Sequence, residues 1–436
     1  MTNPSFPSPT LRWIRPALAI VAASGITVGV LAQSVIMSLP EEPLDAPVIR
    51  DAEAAKEGPI ESRPLPPVGF LRYGPVSLRT NVLYRYMNAE GLPAGARRVA
   101  SEVQTVTPSF ELDLGQHWSV SYTPSWTEYT ARALYDTFDQ VAAIRGGMIG
   151  QHWLLGLEQD FSITNPTLYE TGRQTEQKSW NTDLSASRAI GTRYNLQLNA
   201  RLKELYSDFG HDSRDWSTDD WFIVQVSPAI NVGIGPTFGY VELIGAPDMQ
   251  YQRIMGQLTF NPTNKISLSA NGGVELRQTN SSSGKDLKNP IVSLMARYRP
   301  FETTVVSVSY DDTVNTSLYD SQVVVGSAWR VHFEQRLLGH LYFSADWTRS
   351  DHEYQATTTV IPAPPPEDPN APPLPPELIS KPGRVDKLDE FNCRLTMQLF
   401  KRLTVAAIYQ QTDNQSSQGL YDVSTKQYGV EIKCSF

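Results

Sequence analysis

The sequence predicts an all-β protein, a transmembrane antiparallel up-and-down β-barrel of about 18 strands, with about 16 as the alternative. Three observations support this fold class. An apolar segment near the N-terminus has the features of an export signal, long stretches alternate apolar and polar residues, and the chain ends in an alternating stretch that closes on Phe436. Each is justified in turn below.

Residues 1–32 have the organisation of a cleavable export signal. Arg12 and Arg15 supply the positive region, and an uncharged, mostly apolar run follows from Ala17 to Ala32. Val30-Leu31-Ala32 offers small residues where a signal peptidase requires them, so cleavage is expected after Ala32. The alternative, an uncleaved inner-membrane anchor, is disfavoured because a spanning helix needs about 20 apolar residues.

Residues 33–68 are rich in Pro, Glu and Ala, as in Leu39-Pro40-Glu41-Glu42-Pro43. Such a segment has too little apolar surface to fold alone, so we expect a disordered periplasmic tail. The alternative is a tail that tucks into the lumen of the barrel.

The barrel is predicted over residues 69–436, where apolar residues recur with a period of two. The clearest stretch runs from Arg193 to Tyr206. In an extended strand its two faces would carry Tyr194, Leu196, Leu198, Ala200 and Leu202 on one side and Arg193, Asn195, Gln197, Asn199, Arg201 and Lys203 on the other. A helix would scatter both sets around its axis, so the pattern indicates a strand with one apolar face.

The predicted connections alternate between short and long, which is typical of barrels in the outer membrane. Short turns are expected at 115–116, 190–192, 233–235, 261–264, 299–301 and 400–402, and long outer loops at 88–100, 130–146, 207–217, 278–289, 311–319, 350–387 and 412–420. This division gives roughly 17 strands, whereas two periplasmic ends require an even number. A turn at Asn165-Pro166-Thr167 would make Leu168 to Gly172 an extra strand, whereas loss of the weak strand 236–244 would leave about 16.

Aromatic residues favour the two membrane interfaces, and this preference gives a check on the topology. We expect Trp126, Trp180 and Phe222 toward the outer end of the barrel. Trp118 and Tyr194 are expected toward the periplasmic end.

Two stretches carry a family resemblance. Tyr428, Val430, Ile432, Cys434 and Phe436 share one face of the final strand. The ending resembles the last-strand signal of bacterial outer-membrane barrels, and that resemblance implies recognition by the barrel-assembly machinery. The stretch from Gly69 to Val82 resembles the first strand of the β-barrel porin type 2 family, which implies an exported barrel of a kind often associated with exopolysaccharide systems.

Several function classes are excluded or disfavoured. The net charge of -9 argues against a nucleic-acid partner. No HExxH, GxSxG or Walker-type motif occurs, so no enzyme, cofactor or metal site is predicted. Asp351-His352 is an Asp-His neighbour of the kind that arises by chance. Cys393 and Cys434 would sit on strands separated by one other strand, too far apart for a disulfide.

The candidate site is the lumen, whose inward positions carry most of the charge. The candidates are Glu111, Asp113, Glu158 and Asp160 on the earlier strands, then Arg193, Arg201, Lys203, Arg253, Arg277, Arg297, Arg330 and Arg394. Acids facing bases across the pore would create a transverse field that orders polar solutes. The alternative is that these charges neutralise one another within the wall.

The function expected from these features is diffusion of small polar solutes through an outer-membrane porin. The alternatives are a conduit for exopolysaccharide export and a structural or adhesive barrel whose lumen is plugged. The sequence leaves the oligomeric state open.

Overall fold

The computed structural model describes residues 71–436, apart from residues 96, 116, 169–172, 209, 211, 245–246, 280–285, 318–322, 362–376 and 401. The predicted signal at 1–32 and the predicted tail at 33–68 lie outside the described residues. Almost every described residue belongs to a strand or to a connection between strands.

The wall is one closed antiparallel sheet of 18 strands. In chain order they are β1 (Val76–Ala94), β2 (Arg97–Leu114), β3 (Trp118–Tyr129), β4 (Thr137–Ile149), β5 (Trp153–Thr164), β6 (Gln177–Ile190), β7 (Tyr194–Ser207), β8 (Ser213–Ser227), β9 (Ile230–Leu243), β10 (Met249–Thr263), β11 (Ile266–Thr279), β12 (Leu287–Tyr298), β13 (Thr304–Thr316), β14 (Val323–Leu338), β15 (Leu341–Tyr354), β16 (Arg384–Phe400), β17 (Leu403–Ser416) and β18 (Val423–Ser435). Each strand pairs with its chain neighbours. The barrel closes where β18 pairs with β1, from Asn81 opposite Ser435 to Glu90 opposite Lys426.

Both described chain ends lie at one end of the barrel, which we call the terminal end; the opposite end is the loop end. A short strand, Leu71–Tyr73, folds back on the start of β1 through a turn in which Gly74 has a φ of 58°. The other connections at the terminal end are two to five residues long. The connections at the loop end are mostly longer, up to the one that spans 355–383 and contains a hairpin of Thr357–Ile361 with Glu377–Lys381.

The predicted number of strands is confirmed, but the reason given for the last one is wrong. Residues 165–176 form a connection at the loop end, in which Thr167–Leu168 pairs with Arg173–Gln174 outside the wall. The strand that completes the wall is β4, most of which was assigned to the loop 130–146. Its consecutive apolar residues Val141 to Ile144 hide the period of two.

Three other predicted connections differ from the structure. The expected loop 88–100 is replaced by a tight turn at residues 95–96, because β1 and β2 continue past it. The predicted turn 233–235 lies inside β9, and the true turn is at 228–229. A Cβ at Gly235 would come within 2.6 Å of the Trp221 ring, so glycine here serves packing. The expected loop 350–387 narrows to 355–383, since β15 and β16 extend into it.

The apolar face of each strand is the exposed outer face of the barrel, and it carries Leu198, Phe238 and Leu258. Aromatic rings pair across neighbouring strands there: Trp126 with Phe138, Phe161 with Trp180 and Tyr310 with Trp329, at centroid distances of 4.4 to 4.9 Å. Phe222 was expected toward the outer end. It stacks instead on Tyr194, near the terminal end.

The assignment of faces predicts opposite outcomes for neighbouring residues of β10. Leu258 is exposed on the outer face, so Leu258→Arg would place a charge in lipid near the middle of the wall. We expect it to lower the free energy of unfolding by about 2–4 kcal/mol. Gln257→Arg, on the inner face, should change it by less than about 1 kcal/mol. Urea unfolding in lipid vesicles measures both, and equal costs would contradict the assignment of faces.

Candidate functional site: the inner face of the barrel

The inner face follows from the alternation of each strand. On β2, Phe110 and Leu114 point outward and are exposed, so Glu111 and Asp113 point inward. These acids line a cavity of about 620 Å³ together with Arg79, Ser119 and Arg145. The cavity lies near the terminal end and is the largest water-accessible space found along the described part of the wall.

The first ion pairs of the cavity join β1 to β2. The guanidinium of Arg79 donates from Nη2 to Oε1 of Glu111 at 2.9 Å and to Oδ1 of Asp113 at 2.6 Å. The hydroxyl of Ser77 donates to the other oxygen of Asp113 at 2.7 Å. Hydrogen bonds between charged partners are stronger than neutral ones, so these side chains hold fixed positions on the wall.

A second set of ion pairs continues around the wall from β4 to β7. Arg145 donates from Nε to Glu158 at 2.5 Å and from Nη2 to Asp160 at 3.1 Å. Arg201 donates to Asp183 at 2.8 Å. The strand register places Arg145 opposite Glu158, Glu158 opposite Asp183 and Asp183 opposite Arg201, so the charges form one continuous row, which we call the charge ladder together with the Arg79 pairs.

The charge ladder corrects the prediction of an acidic side facing a basic side. Each predicted acid of the early strands has an arginine beside it within the wall, so most of the field across the lumen is cancelled locally. The cancellation is incomplete, because Glu111, Asp113, Glu158, Asp160 and Asp183 face only Arg79, Arg145 and Arg201. This half of the wall keeps an excess of negative charge.

The ladder is open to water, in contrast to the charges farther round the barrel. The side chain of Arg145 is 52% exposed and that of Glu158 is 39% exposed. Exposed ion pairs contribute little to stability but can change partners as a solute passes. Their place on the cavity wall therefore suits contact with a solute.

A buried cluster of charges lies on β10 and β11. Glu275 is 1% exposed and accepts hydrogen bonds from Nε of Arg253 at 2.5 Å and from Nε of Arg277 at 2.8 Å. The ring of Tyr251 lies below both guanidinium groups, with centroid distances of 4.9 and 5.0 Å. Such a cluster fixes this part of the wall, because no member can leave without stranding a charge in a buried site.

Two further arginines of the predicted set have acidic partners. Arg330 donates to Asp311 at 2.8 Å, joining β14 to β13. Arg394 and Arg85 share Glu431, which is 2% exposed and bridges β16 and β1 through β18. These pairs connect neighbouring strands at and near the closure of the barrel.

The remaining predicted residues lie outside these pairs. Arg193 is exposed in the turn 191–193, between β6 and β7, and so is not on a wall strand. Lys203 stands opposite Asp215 in the strand register. Arg297 lies on β12 between Ser267 and Ser307 of the flanking strands.

Sequence reasoning missed Arg79, Arg145 and Glu431 as members of the inner charge network. Arg79 was placed on the inward face but not matched with an acid, although the register of a β1–β2 hairpin would have found its partners. Arg145 was assigned to a loop. Glu431 pairs with residues far away in sequence, so only the closure of the barrel reveals its partners.

Other candidate chemistry does not assemble in the described residues. Asp351 and His352 are successive residues of β15, so they point to opposite faces and form no dyad. Across the described ranges, no three His, Cys, Asp or Glu side chains come together to hold a metal ion. Cys393 and Cys434 are free thiols on β16 and β18, with β17 between them.

The described part of the chain contains no helix long and apolar enough to cross a membrane.

Comparison with solved structures finds other large barrels. OpdO of Pseudomonas aeruginosa is 11% identical, with a TM-score of 0.44 over 83% of this chain and 97% of that one. The FrpB iron transporter of Neisseria meningitidis is 11% identical, with a TM-score of 0.44 over 80% of this chain and 63% of that one. OccAB3 of Acinetobacter baumannii is 9% identical, with a TM-score of 0.42 over 82% and 99%. This chain therefore spans less than two thirds of FrpB.

No protein-family model matches the sequence, and no curated protein matches it. The likenesses to solved structures are of fold alone.

Proposed function

We propose that this barrel is a bacterial outer-membrane pore through which small polar solutes diffuse. The observation that supports it most is the charge ladder, which lines a water-accessible cavity of about 620 Å³ on the inner face. The terminal end would then face the periplasm and the loop end the outside, as in barrels with short periplasmic turns. Residues 1–32 would direct export, and the strand ending at Phe436 would be read by the assembly machinery.

The inner face has the chemistry expected of a polar path. Between the charges, hydroxyl groups bond across strands, as Thr107 does with Ser125 at 2.8 Å and Thr105 with Thr127 at 3.2 Å. Each group can exchange its partner for a passing solute, so a polar solute loses little when it leaves water. An apolar solute gains no such contacts.

The inner face favours this function over a polysaccharide conduit. Sugar polymers slide along exposed aromatic faces, but the inward rings Tyr251 and Tyr354 are buried, each beneath an arginine. Within the described residues these rings offer no open face to a sugar. No reaction is proposed, because the inner charges are arranged as wall pairs rather than as a nucleophile with its base.

The proposal predicts the effect of removing one arginine from the ladder. Arg145→Gln leaves Glu158 and Asp160 without their cation in the water-filled cavity. A charge at about 4 Å in water contributes about 1 kcal/mol, so we expect the ratio of potassium to chloride permeability to rise about twofold to fivefold. The reversal potential across a planar bilayer under a KCl gradient measures the ratio.

Arg188→Gln is the matched control for this measurement. Arg188 lies on the outer face of β6, where its guanidinium is 5.4 Å from the ring centre of Trp153. Its removal should leave the permeability ratio unchanged. An unchanged ratio for Arg145→Gln, or an equal rise for both variants, would show that ions do not pass the charge ladder.

A further inference from the structure

The barrel wall opens between β12 and β13 in its loop-end half. These strands share six paired positions, from Tyr298 opposite Val306 to Ser293 opposite Asp311. Beyond Ser293 and Asp311 no pairing between them is found, although both strands continue toward the loop end. This is the shortest register between neighbouring wall strands in the described residues.

The opening is a parting of the wall rather than fraying of strand ends. Residues 287–292 of β12 remain paired with β11, and residues 312–316 of β13 remain paired with β14. Five residues of extended strand cover about 17 Å, so the gap is long enough to admit a solute. We call this gap the lateral opening.

Pro290 and Arg277 account for the lateral opening. If the register continued, Pro290 would stand opposite Val314, but proline has no N–H to donate. The carbonyl of Val314 accepts instead from Nη2 of Arg277 at 2.8 Å. Arg277 lies on β11, so its side chain reaches past β12 and fastens the far edge of the opening.

An apolar cluster lies on the inner side, at the same arginine. Val241, Leu243, Met249 and Tyr251 of β9 and β10 pack together, and Val323 at the start of β14 packs against them. Val323 is four strands away from β10, so the loop-end part of β14 bends inward across the lumen. The Tyr251 ring of this cluster is the one beneath Arg277.

An apolar groove lies on the outer face, beginning where the strands part. It has a volume of about 410 Å³ and is lined by Leu258, Leu268, Ala270, Leu294, Tyr310 and Trp329, among others. Leu294 and Tyr310 occupy the paired position next to Ser293 and Asp311. The groove therefore runs from the lateral opening toward the terminal end, along the surface that faces lipid.

We propose that the lateral opening is a port for a fatty acid, which passes between the membrane leaflet at the loop end and the lumen. The groove takes the acyl chain outside, the apolar cluster takes it inside, and Arg277 takes the carboxylate. A carboxylate accepts a hydrogen bond from a guanidinium more strongly than a neutral carbonyl does. The arriving carboxylate therefore displaces the carbonyl of Val314 and releases the far edge of the opening.

Closing the opening by a covalent bond tests the port. Ile291 and Thr313 lie on the inner face, two residues beyond the last pair, and Ile291→Cys with Thr313→Cys would join the edges. The native thiols are first removed by Cys393→Ala and Cys434→Ala. Met295→Cys with Ser309→Cys, a true pair on the same two strands, is the matched control. Where the first pair does not oxidise directly, a short bis-methanethiosulfonate linker joins its thiols.

The readout uses the full chain in vesicles that contain palmitate carrying a photoreactive diazirine. Peptide mass spectrometry then locates the label. We expect label in the groove at Leu294 in every variant, and label inside at Met249 and Tyr251 in the native chain. Joining the edges should reduce the inside label at least fivefold, reduction of the bond should restore it, and the control pair should have no effect. Inside label that is absent from the native chain, or that survives joining, would overturn the port.

Discussion

Glu275→Ala is expected to lower the free energy of unfolding of the barrel by about 3–5 kcal/mol. The carboxylate is 1% exposed and receives both Arg253 and Arg277. Its removal leaves two guanidinium groups without an anion, one of them only 4% exposed, and water cannot fully replace the lost partner. Urea unfolding in lipid vesicles, followed by tryptophan fluorescence, gives the change.

Glu158→Ala is the control for this prediction because it removes the same group from an exposed ion pair. Its side chain and that of Arg145 are both more than a third exposed, so the expected loss is at most about 1 kcal/mol. Replacing Glu275, Arg253 and Arg277 together by apolar residues should recover most of the loss, since an empty site no longer holds stranded charge. Equal losses for Glu158→Ala and Glu275→Ala would contradict the buried role of Glu275.

Gly429→Ala is expected to destabilise the closure of the barrel. Gly429 lies on β18 opposite Met87 of β1, and an added Cβ would collide with the backbone carbonyl oxygen of Tyr86. A backbone atom cannot move aside as a side chain does, so the two strands must separate locally. We expect a loss of about 1–3 kcal/mol in the same unfolding measurement.

Gly272→Ala serves as the matched control for Gly429→Ala. Gly272 also lies within a wall strand, β11, but an added Cβ there meets nothing within 4 Å. We expect no loss, and a gain of up to about 1 kcal/mol from the stiffer unfolded chain. If Gly429→Ala is as stable as Gly272→Ala, then β1 and β18 do not approach as closely as the closed barrel requires.

Much of the wall was predictable, because one lipid face and one wet face impose a period of two that a single sequence displays. The stretch from Arg193 to Tyr206 is an example, since the structure forms β7 there. The missed strand β4 shows the limit of the method. Ala142 points outward and Ala143 inward, but both are small and apolar, so composition does not distinguish their faces. Only pairing with β3 and β5 fixes them.

The inner charges were predictable as a set but not as a network. Period two places Glu111 and Asp113 on the inward face without any structure. Their partner Arg79 depends on the register of β1 with β2, and the shared role of Glu431 depends on which strands meet at the closure. The lateral opening was also beyond reach, because Pro290 interrupts pairing with β13 only if β13 is its neighbour. Register over long distances is therefore the information that the sequence alone lacks.

Single-channel recording of the refolded, unmodified protein in planar bilayers tests the central claim most directly. A barrel whose polar inner face is a path for solutes should give discrete, ohmic current steps in KCl, because water and ions fill the cavity beside the charge ladder. We expect such steps at every insertion. A correctly inserted barrel that stays silent at all voltages would contradict the account and would indicate a lumen closed to polar solutes.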